Sequence, residues 1–443
     1  MGSETTDDVA ANRAAIDDYI ENYWRENYCH GVYVLLVGDI DLIPSGRSAR
    51  IELGPDGDDS DSDHVYEVIG SGRYPSVYVG RFSINSESEL INQLAKTLKY
   101  ERSPVPGDWP QGAVLAANSE NFPGKYAGAV NEIASTSYSE TINFDVLHAG
   151  VASPAEVGAV NQDVIDLIDK GRGHVLYRGH GSNSAWVAGW DATNDNFGLT
   201  EINTLSNSIN PIVYSISCQN GMLRQSDTVS ENWMLAQQTG AVAHFGASAN
   251  SYTSENHERA KGIFRALFVD GYTRLAPALG RAEYRSMLAH GSGDLWDNNT
   301  FAYLLLGDPE LSVRKEAVPG IRWDLFTEFT ASSLLVSART GDGSPVANAF
   351  INLALADGAF VNGFANQNGE LVFSGIETSE LLSLNAQADG FVPVVREQLA
   401  VDTEEPVISV AAEKVTREAG VPFEVAKATA TDNVDGDVTA NLI

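Results

Sequence analysis

Cysteine is scarce in this chain of 443 residues, which carries only Cys29 and Cys218. Two cysteines exclude a framework of several disulfides, and they are too few to build a thiolate cage for zinc. Long apolar runs are also missing, so no membrane-spanning helix is expected. The first residues are polar and acidic, so no secretory signal peptide is predicted in this sequence.

Positive charge is in short supply as well. The chain has 28 Lys and Arg residues against 60 Asp and Glu residues, and its formal net charge is −32. No basic cluster interrupts this acidic surface, which argues against nucleic acid and anionic membranes as partners.

Motifs that would indicate other chemistries are also absent. The sequence has no Gly-Lys-Ser/Thr phosphate loop, no Gly-x-Ser-x-Gly elbow after a strand and no His-Glu-x-x-His helix. Nucleotide use, serine hydrolysis and a catalytic zinc site are therefore disfavoured.

Two segments that end in reactive side chains stand out against this background. Segment 175–182 runs into His180, which lies between two glycines, and segment 212–221 runs into Cys218. Each begins with β-branched and aromatic residues, as a buried parallel strand does when it delivers a side chain to the carboxyl edge of an open sheet. A His and a Cys at neighbouring strand ends predict a thiol–imidazole dyad, in which the thiolate is the nucleophile.

Both residues also have plain structural interpretations. A lone His after a strand is more often structural than catalytic, and a free Cys is often a small buried hydrophobe. Their matched placement favours the dyad, in which the backbone N–H groups of Cys218 and Gly181 would form an oxyanion hole. By contrast, we expect His244 to pack inside strand 241–245 and Cys29 to be a part-buried free thiol.

Strands and helices alternate through most of the chain, which predicts an α/β fold with a mostly parallel sheet covered by helices on both faces. The predicted strands are 32–37, 77–79, 113–117, 144–147, 174–177, 212–216 and 241–245. The predicted helices are 9–30, one that a capping box opens at 86–89, 124–137, 155–169, 230–239, 255–269 and 275–289. The capped helix has Ile91, Leu94, Ala95 and Leu98 on one face.

Changes in the periodicity and turn residues of the sequence predict four regions in the chain. Residues 1–105 form a first α/β subdomain, and residues 106–316 form the catalytic α/β subdomain. After about 317, short alternating segments with Asp-Gly and Asn-Gly turns predict an immunoglobulin-like β-sandwich over 317–403. Residues 404–443 are predicted to begin a second module of this kind, truncated in this sequence.

The motif Gly179-His180-Gly181-Ser182, with Ser217-Cys218 and Asn220-Gly221 after it, resembles the catalytic blocks of the gingipain-type cysteine peptidases. These peptidases belong to the larger caspase-like fold group. Further motifs agree in order, from 34–39 in the first subdomain to 307–314 at the end of the second. The resemblance covers about residues 10–316, and an immunoglobulin-like module after them also fits the family.

This resemblance implies an endopeptidase in which Cys218 is the nucleophile and His180 is the general base and acid. It also implies that Glu120 orients or polarises His180, although an exposed loop carboxylate is an equally good interpretation of Glu120. Trp186 and Ser217, which lie within the catalytic blocks, are expected to contact substrate.

The segments expected to form the specificity pocket depart from the family pattern. Lys125 lies where the arginine-preferring members place an Asp, and Tyr252 replaces a Trp that walls the pocket. A pocket without the carboxylate cannot neutralise a buried guanidinium, so strict cleavage after arginine is not expected. If Lys125 faces the pocket, an acidic residue before the scissile bond is the corresponding hypothesis.

Structural calcium is a further implication of the resemblance. The acidic loop supplies Asp56, Asp58, Asp61 and Asp63 as candidate ligands, and the oxygen-rich segment 432–437 is a second candidate. A solvated acidic loop is the alternative for both segments. No cofactor is expected to be required for the chemistry itself.

The sequence therefore predicts a secreted or cell-surface prokaryotic cysteine endopeptidase acting on proteins or peptides. Two rivals stay open. One is a sortase-like transpeptidase that passes the acyl group to an amine, and the other is a catalytically silent adhesion or scaffold protein that uses its β-modules.

Overall fold

The computed structural model describes the chain at residues 6–27, 31–47, 61–70, 74–136, 141–151, 153, 156–187, 190, 192–223, 228–291, 299–318, 322–330, 333–355, 358–376, 381–388, 391–397, 407–410, 428–432 and 436–437. The chain divides into two compact units, Met1–Pro319 and Gly320–Ile443. Among the described helices, none combines the length and the apolar character needed to cross a membrane.

The first unit alternates strands and helices. Its helices are α1 (Thr6–Asn27), α2 (Glu87–Arg102), α3 (Tyr126–Ala134), α4 (Asn161–Asp169), α5 (Leu199–Ile202), α6 (Val229–Leu235), α7 (Thr253–Phe268) and α8 (Leu275–His290). Its strands are β1 (Tyr33–Val37), β2 (Gly46–Arg47), β3 (Asp61–Ser62), β4 (Tyr78–Phe82), β5 (Gly112–Ala117), β6 (Asn143–His148), β7 (His174–Arg178), β8 (His180–Gly181), β9 (Ala185–Val187), β10 (Phe197–Gly198), β11 (Ile212–Ile216), β12 (Ala243–Ala247) and β13 (Tyr303–Leu306). The predicted alternation is confirmed, with the last predicted strand, 241–245, displaced to β12.

An eight-stranded sheet forms the centre of this unit, in the order β1-β4-β13-β12-β11-β7-β5-β6. Every neighbouring pair is parallel except β12 with β13. The predicted mostly parallel sheet is therefore confirmed. The sheet takes β1 and β4 from the first predicted subdomain and its other strands from the second, and the boundary near residue 105 stays a prediction.

The central strands are apolar on both faces because helices cover both faces. Every residue of β5, β7, β11 and β12 is buried. Val114, Val175 and Val213 of three neighbouring strands share one core with Ile168 of α4 and Trp233 of α6. Each buried aliphatic side chain contributes about 1.5–3 kcal/mol, so the strand ends that carry the site rest on a rigid base.

Helix α2 begins where the capping box places it, since the Ser86 side chain accepts a hydrogen bond from the Glu89 backbone N–H. The apolar face of α2, however, is turned outward. Ile91, Leu94 and Leu98 are 59%, 39% and 42% exposed, while polar residues of the opposite face are buried. An amphipathic helix ordinarily buries its apolar face. The surface against which α2 packs must therefore offer polar groups that bond to its buried polar side chains.

In the second unit, the regular elements of the described residues are all strands. They are β14 (Trp323–Thr330), β15 (Ser333–Thr340), β16 (Phe350–Leu355), β17 (Phe360–Phe364), β18 (Glu370–Ser374), β19 (Leu381–Gln387), β20 (Val394–Glu397), β21 (Val407–Val410), β22 (Ala428–Asp432) and β23 (Gly436–Asp437). The sheets β14-β15-β18 and β17-β16-β19-β20 are antiparallel and share one buried core, and β21, β22 and β23 form a separate small sheet. Strand β15 alternates buried and half-buried residues, which is the pattern of a strand with one face in the core.

Candidate active site

Three adjacent parallel strands bring the predicted catalytic residues to one edge of the sheet. The last residues of β5, β7 and β11 lie side by side, with Ala117 paired to Arg178 and Arg178 paired to Ile216. Glu120 follows β5, His180 follows β7 and Cys218 follows β11. Because the three strands run in the same direction and end in register, the three side chains leave the sheet at its carboxyl edge.

His180 is held by the carboxylate of Glu120. Its Nε2 lies 2.6 Å from Glu120 Oε2, and the two side chains are 41% and 40% exposed. Lys125 Nζ lies 2.6 Å from the same oxygen. The hydrogen bonds from Lys125 and then from His180 lower the pKa of Glu120 below its ordinary value, so this carboxyl is ionised when it faces the imidazole.

Cys218 is half-buried, and its sulfur contacts the backbone of Ser251. The Ser251 backbone N–H donates to Cys218 Sγ at 3.4 Å, and the Ser251 carbonyl oxygen lies 3.6 Å from the same sulfur. Within the described part of the chain, the backbone N–H of Cys218 donates to no carbonyl oxygen. That N–H is therefore available to an oxyanion on a substrate.

Gly181 passes so close to the nucleophile loop that no other residue fits. A Cβ at this position would lie 2.3 Å from the Cys218 carbonyl oxygen and 2.6 Å from Ser217 Oγ. Asn220 joins the same two loops, because its Nδ2 donates to the carbonyl oxygens of Ser182 and Ala185 at 2.5 and 3.1 Å. The loop of the imidazole and the loop of the thiol are thus fixed to each other.

A buried cation, Arg178, lies beneath the site. This residue was not identified from the sequence. It is 1% exposed, and its guanidinium donates to the carbonyl oxygen of Ile216 and, at 2.8 Å, to His257 Nδ1. No carboxylate among the described residues accepts from it. Burial, with Arg178 beside it, lowers the pKa of His257 to about 3, so this second imidazole stays neutral and accepts the guanidinium. The sequence carries a signal for this cation, since Arg178 is a charge directly after the apolar run Val175-Leu176-Tyr177.

Tyr126, at the start of α3, connects these groups. Its ring is 3% exposed and stands edge-on to His180, with the ring centroids 5.6 Å apart. Lys125 Nζ and Arg178 Cζ lie 4.6 and 5.1 Å from the centroid of the same ring. Both contacts are within cation–π range, so one aromatic ring gathers two cations beside the imidazole.

Two of the residues expected to contact substrate are wrong in that role. Trp186 is fully buried, its ring stacks on Tyr177 with centroids 4.3 Å apart, and its Nε1–H donates to Ser215 Oγ. Ser217 is 1% exposed and its hydroxyl donates to Asn220 Oδ1 at 2.7 Å. Both side chains are taken up by the fold.

The other two substrate-contact residues keep some exposure. Tyr252 is half-buried, and its backbone N–H donates to Asn299 Oδ1 at 2.8 Å. Lys125 is 24% exposed but is paired with Glu120. A contact of either residue with substrate stays a prediction.

The acidic loop does not present its last residue to calcium. Both oxygens of Asp63 accept from the buried guanidinium of Arg81, at 2.7 and 2.8 Å. Asp56, Asp58 and the side chain of Asp61 lie outside the described residues, as do Cys29 and residues 433–435. Among the described residues no group of three or more His, Cys, Asp or Glu side chains is arranged to hold a metal ion, so Asp63 is corrected to an ion-pair partner.

His244 has the packing position expected of it. It is fully buried on β12, its Nε2 lies 3.1 Å from Ser215 Oγ, and burial lowers its pKa to about 3. It takes no part in the edge of the sheet where His180 and Cys218 lie.

A thiol, an imidazole bound to a carboxylate and a close glycine loop, placed at the carboxyl edge of an open α/β sheet, are the parts of a cysteine peptidase. Residues 3–314 match the model of Peptidase family C25. This match covers more than half of the chain, which therefore belongs to that family of cysteine peptidases.

Individual relatives agree with this assignment. Gingipain R2 of Porphyromonas gingivalis is 29% identical over 250 residues, which make up 55% of this chain and 32% of that protein. Lys-gingipain of the same species is 22% identical over 260 residues, or 56% of this chain and 14% of that protein. The chain thus spans about a third or less of these curated relatives.

The fold has a solved counterpart. The crystal structure of the Arg-specific cysteine proteinase gingipain R matches with a TM-score of 0.68 and 22% sequence identity, over 87% of both chains. A likeness at this identity establishes a shared fold.

Proposed function

We propose that this C25 peptidase is an endopeptidase that cuts proteins or peptides through a Cys218–His180 dyad. The observation that carries the proposal is the register of β5, β7 and β11, which sends Glu120, His180 and Cys218 to one edge of the sheet. A silent scaffold would have no need of that arrangement.

The direction of proton transfer follows from the contact of His180 with Glu120. A carboxylate accepts hydrogen bonds, so the imidazole nitrogen 2.6 Å from it, Nε2, carries a proton. The other nitrogen, Nδ1, then has the lone pair that takes the proton from Cys218 Sγ. The anionic Glu120 also stabilises the imidazolium formed by this transfer.

The thiolate attacks the scissile carbonyl carbon. The resulting oxyanion accepts hydrogen bonds from the backbone N–H groups of Cys218 and, in this proposal, of Gly181. His180 then gives its proton to the leaving amine, and a thioester links the acyl group to Cys218. Water, activated by His180, hydrolyses the thioester and returns the free thiol.

The test is cleavage of a mixed-sequence peptide library by the wild-type chain, by Cys218→Ala and by Cys29→Ser. We expect cleavage to vanish in Cys218→Ala and to persist in Cys29→Ser, which changes the other cysteine. Cleavage by Cys218→Ala would overturn the proposal. An added amine acceptor in the same assay separates hydrolysis from acyl transfer, because a transpeptidase would form the amide product.

The cut sites of the same library test the specificity hypothesis. Lys125 lies where the resemblance places the Asp of the pocket, and its ammonium is paired with Glu120, so strict preference for arginine before the scissile bond is not expected. Calcium binding by the acidic loop, an immunoglobulin-like fold for 317–403 and an extracellular location stay proposals. A rise of the melting temperature with added calcium would support the first of them.

A further inference from the structure

The Oε2 atom of Glu120 is shared by two cationic partners. Lys125 Nζ and His180 Nε2 each lie 2.6 Å from it. The Glu120 backbone N–H donates to Asn118 Oδ1 at 2.9 Å, which fixes the main chain but leaves the side chain free to rotate. Because 40% of that side chain is exposed, the carboxylate would sample several rotamers without a further restraint.

We propose that Lys125 is a positioning residue that holds the Glu120 carboxylate against His180, and that it is not a substrate-binding residue. This inference rests on the proposed peptidase function. It assigns to Lys125 a role in the rate of the chemical step, whereas a substrate contact would act on binding.

Lys125 is itself restrained, which a positioning role requires. Its ammonium group lies 4.6 Å from the centroid of the Tyr126 ring, and Tyr126 is buried with its ring edge-on to His180. The ammonium thus contacts the carboxylate and the ring that both touch the imidazole. Burial opposes the charge of Lys125, but Glu120 and Tyr126 raise its pKa above the ordinary value, so it stays charged.

The same contact sets the charge state of Glu120. Lys125 is the first cause of the lowered pKa of Glu120, and His180 is the second. Further charged or titratable groups near the Tyr126 ring lie on β7 and α7. Arg178 and His257 contact this ring, and the charge of Lys261 helps to lower the pKa of His257. Removing Lys125 therefore lets the pKa of Glu120 rise toward its ordinary value, and the carboxylate is lost at a higher pH.

The experiment compares Lys125→Met, Lys125→Arg, Glu120→Gln and the double variant Lys125→Met/Glu120→Gln, on a peptide that the library identifies. Lys261→Met is the matched control, because Lys261 pairs with Glu132 and Glu258 and does not contact Glu120. We expect Lys125→Met to lower kcat about three- to fivefold, the range of a part-exposed ion pair, with KM unchanged. Lys125→Arg should restore most of the rate, and Lys261→Met should leave it unchanged.

Two readouts separate positioning from a merely structural effect. The acid side of the kcat profile should move to higher pH in Lys125→Met, and Lys125→Met should add no further loss to Glu120→Gln. An increase in KM with kcat intact, or a full additive loss in the double variant, would overturn the inference. If Cys218→Ala retains cleavage the proposed function fails, whereas a wild-type rate and pH profile in Lys125→Met refute only the role of Lys125.

Discussion

At Gly181 the local geometry leaves no room for a side chain. Its missing side chain lets the His180 loop approach the Cys218 carbonyl oxygen, and a Cβ would lie only 2.3 Å from that atom. Gly181→Ala must therefore push the imidazole and thiol loops apart. Because a displacement of about 1 Å can cost roughly 100-fold in rate, we expect a loss of that order in kcat/KM.

Gly280 supplies the control for this substitution. It lies inside α8, where a Cβ would meet only a Tyr78 ring atom at 3.8 Å, an ordinary contact. Gly280→Ala should keep full activity and stabilise the protein by roughly 0.5–1 kcal/mol. Equal activity of the two variants would show that the loops tolerate a side chain at 181.

Glu231 gives the stability a dependence on pH. It is buried on α6, where Ser83 and Thr228 donate to its oxygens at 2.9 and 2.8 Å, and burial raises its pKa from 4.5 to about 7. Between these values the folded state keeps a proton that the unfolded state has released. Stability is therefore lost as pH rises through this window, and the loss is complete above pH 7.

Glu231→Gln removes this dependence, because the amide does not ionise. Relative to the variant, the wild-type chain should lose about 2–3 kcal/mol of unfolding free energy between pH 5 and pH 8. Urea unfolding at the two pH values measures the difference. Parallel behaviour of the two proteins would contradict the assignment.

At this scale the sequence indicated the dyad but not its surroundings. The placement of His180 and Cys218 after neighbouring strands could be predicted because each follows an apolar run and precedes a glycine. The burial of Trp186 and the pairing of Lys125 with Glu120 depend on which strands become neighbours. Such long-range contacts leave no mark in the local pattern.

Among the elements, α2 is the one whose orientation is set by its neighbour. The carbonyl groups at the carboxyl end of α6 have no partner within their own helix. Asn92 Nδ2 donates to the carbonyl oxygens of Leu235 and Ala236 at 3.0 and 3.2 Å. Lys96 Nζ donates to the carbonyl oxygen of Thr239 at 3.3 Å. Burial lowers the pKa of Lys96 to about 7, whereas the helix dipole at the carboxyl end of α6 favours its charged form.

This orientation reverses the usual cost of substitutions along an amphipathic helix. Asn92→Ala should lower the free energy of unfolding by about 1–3 kcal/mol, because the Leu235 carbonyl oxygen and the Gln238 backbone N–H lose their hydrogen bonds to Asn92. Leu94→Gln should change it by less than about 0.5 kcal/mol, since Leu94 is on the exposed face. Urea unfolding of both variants checks the order, and a larger cost for Leu94→Gln would contradict it.

The elements themselves were largely predictable. Strand 212–216 coincides with β11, and the capping box fixed the start of α2. The predicted strand 241–245 begins two residues before β12, because the apolar run offers no boundary signal. The outward orientation of the apolar face of α2 could not be predicted, because it depends on hydrogen bonds to carbonyl groups more than a hundred residues away in sequence.

Across the whole molecule, strand β13, which is antiparallel to β12 and parallel to β4, joins the two halves of the central sheet. It pairs with β12 on one side and with β4 on the other. Strands β1 and β4 therefore extend the sheet that carries the active site. The predicted boundary near residue 105 rests on prolines, which are local signals, whereas strand pairing is not local.

The two compact units have separate hydrophobic cores, and each core should unfold as its own cooperative step. Ile168 and Ile351 are both fully buried, the first in the core beneath the active-site strands and the second in the core of the β-sheets of the second unit. Replacing a buried isoleucine with alanine costs about 2–5 kcal/mol. Ile168→Ala should lower one calorimetric transition together with the temperature at which cleavage is lost. Ile351→Ala should lower only the other transition, and a single transition that both substitutions move would show that the two cores unfold together.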